Sequence, residues 1–388
     1  LGGQRCAPVM WSGWAEHELD AIRTAGRWRS PRSADLYGPR GTIDGRPIVS
    51  FASNDYLGLS THPAAVAAAH AALDRWGTGS TSARLIVGNR PVHDELEQAL
   101  ADWRQTDRAV IFPTGFAANL GVMTVFGGPD VTVLSDELNH ASIIDGCRLG
   151  RSTTIVYRHN DIDHVRALLG QTAGRVVVVS DTIFSMDGDA ARVHELAAVC
   201  AERGALLVLD EAHSVLGPDP LATATASRSA PVLRVGTMSK TLGSLGGFVA
   251  GPAPLVDLLV NRARSYIFTT GSSPADTAAA LAALGVWRSD EGAALVARLR
   301  RHVDRIRPEH PSPIIPVVLG DERVALDAAR SLLDQGLLVP AIRPPTVAPG
   351  TCRLRVTLSA AHTDTEVDQL VVALGAVVAS LDDRNRPA

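Results

Sequence analysis

The sequence predicts an α/β fold: a large domain built on a mostly parallel sheet between helices, then a smaller C-terminal α+β domain. Three observations carry that expectation. From about residue 108 to 252, short apolar runs alternate with helix-like stretches. The runs are continuous and rich in β-branched residues rather than alternating in polarity, as strands covered on both faces require. After about residue 290 the alternation stops and the elements follow a different order.

In chain order, residues 1–45 read as an N-terminal arm with one short helix, 46–290 as the large domain and 291–388 as the small one. The strand-like runs are "RAVIF", "VTVLSD", "TTIVYR", "RVVVVSD", "ALLVLDEA" and "FVAG". Between them lie helical patterns such as "GFAANLGVMTVF", "DIDHVRALLGQ" and "VHELAAVCAERG". Strand–helix–strand repetition implies parallel strands joined by right-handed crossovers. Functional groups in such sheets gather outside the carboxyl ends of the strands. Asp136, Asp181 and Asp210 each close a run, so all three are expected to face one crevice. The alternative for each is a turn or helix cap. The small domain is read as a helix over 291–307, the strand "PSPIIPVVLG", a helix over 322–335, two further strands and a final apolar helix.

At 388 residues and 46% apolar composition the chain can bury a large core. Its net charge of −4, with acids and arginines interspersed, suggests neither a nucleic-acid surface nor a membrane-binding basic patch. No apolar run approaches the ~18 to 20 residues that span a bilayer. The opening "LGGQRCAPVM" lacks the charged-then-apolar pattern of a signal peptide, and a native start at Met10 is expected. Cys6, Cys147, Cys200 and Cys352 are scattered, with no metal-ligand or redox spacing. A reduced, cytoplasmic protein without a metal is the expectation.

The segment "GTMSKTLGSLGGF" holds Lys240, the one lysine among 37 basic residues. Arginine supplies charge everywhere else. Lysine alone of the two can lose its proton and attack a carbonyl. An unperturbed lysine is deprotonated at neutral pH in only about one molecule in a thousand or fewer, so a nucleophilic one needs a lowered pKa or an imine. Pyridoxal phosphate (PLP) uses lysine in this way, and it needs an acid at its ring nitrogen, donors for its phosphate and a stacking face. Asp210 in "LLVLDEAH" is the candidate acid, and His213 can reach the ring's phenolic oxygen. In "FPTGFAAN" the amides of Gly115 and Phe116 open a helix and can meet an anion, with the Thr237 hydroxyl beside them. His140 in "DELNHASIIDG" is a candidate stacking group. Each has a plainer reading: a helix-start histidine for His213, an ordinary turn for Gly115, a structural histidine for His140. Two competing phosphate motifs fail. "GTGSTS" lacks the third glycine of a dinucleotide fingerprint and follows a helix, and "GTMSKT" has Ser239 where a nucleotide loop needs glycine.

The order TGF–NHAS–FSMDGD–DEAH–TMSK–RPPT resembles the α-oxoamine synthases, PLP-dependent transferases of fold type I. The likeness runs from about 45 to 365, and its specific pieces are "SNDYLGLS", "FSMDGD" and "IRPPTVAPGTCRLRVTLSAAHT". It implies Lys240 as the Schiff-base lysine and base, Asp210 on the pyridine nitrogen, His140 stacked on the ring, and Ser185 and His213 near the ring oxygen. Gly115, Phe116 and Thr237 would bind at the phosphate side, with Thr270 reaching the phosphate of a partner subunit in a homodimer. Asn54, Arg343, Thr346 and Arg355 match substrate-binding positions, Arg355 being a sensible fork for a carboxylate. The branch it most resembles condenses L-alanine with a pimeloyl thioester, on coenzyme A or acyl carrier protein, to 8-amino-7-oxononanoate for biotin.

Three features depart from the family pattern. An acyl-contacting arginine is expected near the N-terminal helix, and Arg27, Arg29 and Arg32 all qualify. The stretch "GTGSTSARLIVGN" varies among relatives, and Ser214 stands where glycine is usual. The alternatives are a glycine-using synthase forming 2-amino-3-oxobutyrate or 5-aminolevulinate, an aminotransferase or aldolase on the same fold, and a PLP-binding regulatory protein.

Overall fold

In a computed structural model, residues 10–217, 219, 221 and 230–384 are described. Cys6 lies outside them. The chain opens with the helix Trp11–Thr24, then β1 (Ala34–Tyr37), β2 (Arg40–Ile43) and β3 (Arg46–Ser50). The first 45 residues were expected to hold one short helix. They also form the β1–β2 hairpin, whose four-residue strands are mostly exposed and carry no apolar run to betray them.

The large sheet comprises β4 (Arg108–Phe112), β5 (Val131–Asp136), β6 (Thr153–Tyr157), β7 (Arg175–Asp181), β8 (Leu206–Asp210), β9 (Val232–Thr237) and β10 (Gly247–Gly251). Their order is β4-β10-β9-β8-β7-β5-β6, and only β10 runs against its neighbours. Both faces are covered: Val177 and Val179 pack in one apolar cluster and Val178 in another. That is the arrangement continuous β-branched runs demand. β9 was not among the strands expected. Its "VLRVGT" is interrupted by Arg234, which is buried against Glu211 and Asp219 at 2.7 Å each. A paired interior charge hid a central strand.

Beyond the long helix Asp290–Ile306 come β11 (Ile314–Gly320), the helix Glu322–Asp334, β12 (Leu337–Leu338), β13 (Ala341–Ile342), β14 (Cys352–Thr357) and the helix Asp364–Arg384. β11, β14 and β13 form a three-stranded antiparallel sheet, while β12 pairs with β3 and completes the N-terminal sheet. Among the described residues no helix is long and apolar enough to cross a membrane.

His362 ties these parts together. Its Nδ1 accepts the amide of Ser359 at 3.0 Å, its Nε2 donates to the carbonyl of Ser50 at 3.0 Å, and its ring stacks on Phe51 at 4.2 Å. One nitrogen accepting and the other donating is the pattern of a neutral imidazole. Burial pulls its pKa down to about 4, against about 6.5 in an unfolded chain. The unfolded state therefore binds a proton that the folded state refuses, and stability present above pH ~6.5 is lost as pH falls towards 4. Lowering the pH from 7 to 5 is expected to remove about 2 kcal/mol through this group. The fall in urea midpoint between those pH values should shrink in His362→Gln.

Candidate active site

Register across the large sheet sets the first two groups of the site. Asp181, the last residue of β7, lies opposite Asp210, the last residue of β8. Both are buried and line a cavity of about 220 Å³ beyond the carboxyl ends of the strands. Asp136 ends β5 but does not line that cavity. It accepts the amides of Leu138 and Asn160 and a ring nitrogen of His159, so the expectation that three strand-end acids share one crevice is corrected to two. The turn after β5 absorbs the third.

One wall is the start of the helix Gly115–Phe126, which follows β4 directly. Thr114 caps it, its hydroxyl accepting the amide of Ala117 at 3.0 Å. The amides of the first helical turn have no carbonyl within the helix to bond, and those of Gly115 and Phe116 open on the cavity. A Cβ on Gly115 would lie 3.2 Å from Cβ of Thr237, so any side chain there would narrow the gap between helix start and strand end. Thr237 sits across that gap, donating its hydroxyl proton to the carbonyl of Gly246 at 2.8 Å.

Asn119, one helical turn on from Gly115, reaches into the acid pair. Its Nδ2 donates to Oδ2 of Asp210 at 2.6 Å and to Oγ of Ser142 at 2.9 Å. Ser142 in turn bonds Nδ1 of His140 at 2.7 Å. The backbone amide of His140 donates to Asp181 at 2.8 Å, and that of Ala212 to the other oxygen of Asp210 at 2.9 Å. Both carboxyl groups are thereby held in fixed orientations. Sequence reading missed Asn119 and Ser142. The signal was there in the four-residue spacing of Gly115 and Asn119, which puts both on one face of a helix.

Lys240 and His213 complete the lining. Burial holds the Lys240 amine below the usual lysine range, with the charges of Asp210 and Asp181 pulling the other way. Burial, and next the Asp210 charge, push the Asp181 carboxyl well up. Burial chiefly keeps His140 low, and keeps His213 well below the usual histidine range with help from Lys240 and Arg355. The cavity thus presents an amine more readily deprotonated than an ordinary lysine, a pair of acids and two imidazoles whose burial disfavours charge.

A second set of side chains reaches the cavity through His213. Arg355 on β14 donates Nε to the carbonyl of Ser185 at 2.6 Å, Nη1 to Thr357 at 2.9 Å and Nη2 to Asn54 at 3.2 Å. Tyr56, fully buried and also unremarked in the sequence as a site residue, bonds Asn54 at 3.1 Å and Nδ1 of His213 at 2.5 Å. A line of contacts therefore runs Arg355–Asn54–Tyr56–His213 into the cavity.

Asn54, Ser185 and Arg355 do not line the cavity themselves, and neither do three other residues singled out in the sequence. Thr270 is exposed on the loop after the short helix Arg264–Ile267. Arg343 bonds Glu322 at 2.6 Å and the carbonyl of Gly26 at 2.8 Å, and Thr346 is exposed just beyond the cis Pro344–Pro345 bond. Of the three N-terminal arginines, Arg32 pairs with Asp44 at 2.6 Å, while all three are exposed.

The donor set suits PLP. Helix-start amides and a threonine hydroxyl fit a phosphate, the amine fits an aldehyde, and the buried acid pair fits a cationic group such as a protonated ring nitrogen. Among the described residues there is no cluster of His, Cys, Asp or Glu suited to a metal.

Comparison with known proteins agrees with that chemistry. Residues 46–374 match the family described as aminotransferase class I and II. The chain is 46% identical over 382 residues to the 8-amino-7-oxononanoate synthase of Anaeromyxobacter dehalogenans, covering 95% of this chain and 96% of that one. The serine palmitoyltransferase of Sphingomonas wittichii superposes with a TM-score of 0.87 at 30% identity, over 97% of this chain and 99% of the other. A lysine-to-alanine variant of serine palmitoyltransferase from S. paucimobilis, solved with a bound PLP–myriocin aldimine, superposes at 0.86 with 28% identity over 95% and 98%.

Asn119→Ala would leave a buried oxygen of Asp210 and the Ser142 hydroxyl without their shared donor. The cost expected is about 1–3 kcal/mol, read as a lower urea midpoint of the PLP-free protein. An unchanged midpoint would mean that Asp210 finds another donor.

Proposed function

Because the chain belongs to the class I and II aminotransferase family and, within it, to the 8-amino-7-oxononanoate synthases, we propose that it joins L-alanine to a pimeloyl thioester in biotin biosynthesis. The products are 8-amino-7-oxononanoate, carbon dioxide and the free thiol of coenzyme A or acyl carrier protein. The observation that carries this reading is the placement of the only lysine, its pKa depressed, in one cavity with Asp210. Near-full-length relatives named as such synthases specify the reaction, and the glycine-using alternative is not favoured. We take the protein to act as a homodimer in the cytoplasm. We divide it into an arm over 1–45, a cofactor-binding unit over 46–290 and a smaller unit over 291–388.

PLP, when bound, supplies a sink for the electron pair left when a bond to the amino acid's α-carbon breaks. The protein does the rest. Lys240 would hold the cofactor through its Nζ and, once freed, take the proton from the alanine α-carbon. A pKa held below the usual lysine range favours the unprotonated amine that such a base needs, and positioned proton transfer of this kind is worth about 10² to 10⁴ in rate. Asp210, its orientation set by Asn119 and the Ala212 amide, would keep the ring nitrogen protonated. His140 would stack on the ring, and Ser185 and His213 would lie near its oxygen. The amides of Gly115 and Phe116 and the hydroxyl of Thr237 would receive the phosphate, with Thr270 contributed by the second subunit. Arg355 and Asn54 would grip the alanine carboxylate, and Arg343 and Thr346 would contact substrate.

Arginine cannot serve as this base, since its guanidinium stays protonated. Lys240→Arg is expected to fold with a wild-type melting curve, to fail to retain PLP after borohydride reduction, and to release no thiol from pimeloyl-CoA. Turnover comparable to wild type would remove Lys240 from the reaction. The wild-type protein, supplied with PLP, should release thiol from pimeloyl-CoA with alanine. Under the same conditions glycine with acetyl-CoA or succinyl-CoA should give little, and the opposite preference would replace the reading with the glycine-using one.

A further inference from the structure

Outside the cavity one cluster of titratable groups is unusually well built. His159, just after β6, places Nδ1 3.0 Å from Oδ1 of Asp136 and Nε2 2.8 Å from Oδ2 of Asp189. Both ring nitrogens face carboxylates, and only an imidazolium can donate from both. Burial opposes the charge, but hydrogen bonds to Asp136 and Asp189 push the pKa up to about 10. Asn160 doubles the link, its amide meeting Asp136 at 3.1 Å and its side chain Asp189 at 3.2 Å. The His159 ring also stands edge-on against Phe184 at 4.3 Å.

Both residues gripped on the far side, Phe184 and Asp189, are the ends of one tight loop. The amide of Phe184 donates to the carbonyl of Asp189 at 3.0 Å, and that of Gly188 to the carbonyl of Phe184 at 2.7 Å. The loop's other side is pressed onto the small sheet. Gly188 has a φ of +70°, and a Cβ there would sit 1.9 Å from the carbonyl oxygen of Ile314, while the Ser312 hydroxyl donates to the carbonyl of Gly188 at 2.7 Å. At the tip, Arg353 binds Asp187, and the carbonyl of Ser185 receives Nε of Arg355 at 2.6 Å. Ser185 thus supplies the shortest of the bonds that orient the Arg355 guanidinium.

We propose that His159 is a positioning residue: clamped between Asp136 and Asp189, it pins the Phe184–Asp189 loop, whose Ser185 carbonyl aims Arg355 at the carboxylate of the amino-acid substrate. The proposal rests on the reading of Arg355 as that carboxylate's partner. An ion pair that merely stabilised a turn would affect the melting temperature and leave substrate affinity alone. A clamp on Arg355 affects the amino acid and spares the thioester.

The test is steady-state kinetics of the PLP-loaded enzyme with each substrate varied in turn, for His159→Phe, His159→Gln, Asp189→Asn and Arg355→Lys. A misaimed guanidinium should raise KM for L-alanine about tenfold or more in His159→Phe, with KM for pimeloyl-CoA moved less than about twofold and PLP absorbance retained. Asp189→Asn should show the same split, and His159→Gln, which keeps one donor, should recover part of the loss. An alanine KM within about twofold of wild type in folded His159→Phe would overturn the proposal. So would parallel rises in both KM values, or loss of PLP from the His159 and Asp189 variants alike with no separate effect on alanine. If Arg355→Lys leaves the alanine KM unchanged, the carboxylate reading itself fails. If it raises that KM while the His159 variants do not, only the clamp fails.

Discussion

Two carboxyl groups side by side in one cavity with a half-buried amine are the constraint on which the rest of this site depends. Parallel register places Asp181 and Asp210 at the same level of adjacent strands, and burial makes it costly for both to carry charge. Everything nearby manages that cost. Asn119, the Ala212 amide and the His140 amide supply donors to the oxygens, while Lys240 supplies the compensating charge when protonated. The same low-dielectric surroundings that raise one acid depress the amine and keep the two histidines neutral. An amine ready to react and an acid ready to hold a cation are consequences of one arrangement.

That arrangement sits where two sheets meet. The large parallel sheet carries the acids and the lysine. The small antiparallel sheet carries Arg355, and the contacts through Asn54 and Tyr56 to His213 join the two sets. The Phe184–Asp189 loop is bonded to both sheets at once, so the distance between amine and guanidinium is set by packing rather than by chain connectivity. Groups fixed in this way hold a small molecule between the two sets by position, which is worth more than additional loose contacts.

Much of this was legible in the order of residues. A single lysine among arginines, an aspartate closing an apolar strand, and a glycine at the start of a helix are local patterns with local causes. They needed no knowledge of distant contacts. Tyr56 and Asn119 were not legible in the same way, because a buried tyrosine or asparagine looks like any other until its partners are known. β9 escaped for a related reason: Arg234 breaks its apolar run, and only its ion pairs with buried Glu211 and with Asp219 explain how a guanidinium fits mid-sheet.

Periodicity and residue chemistry alone were enough for the α/β class and the parallel sheet, and for singling out Lys240 and Asp210, which line one cavity, since each follows from side chains acting within a few positions of one another. Folding in three dimensions chose which strand-end acids share the cavity, sent Asp136 to His159 instead, and brought Arg355 across from another sheet. Those choices depend on register and on contacts between segments hundreds of residues apart. Sequence distance carries no information about either until the core has packed.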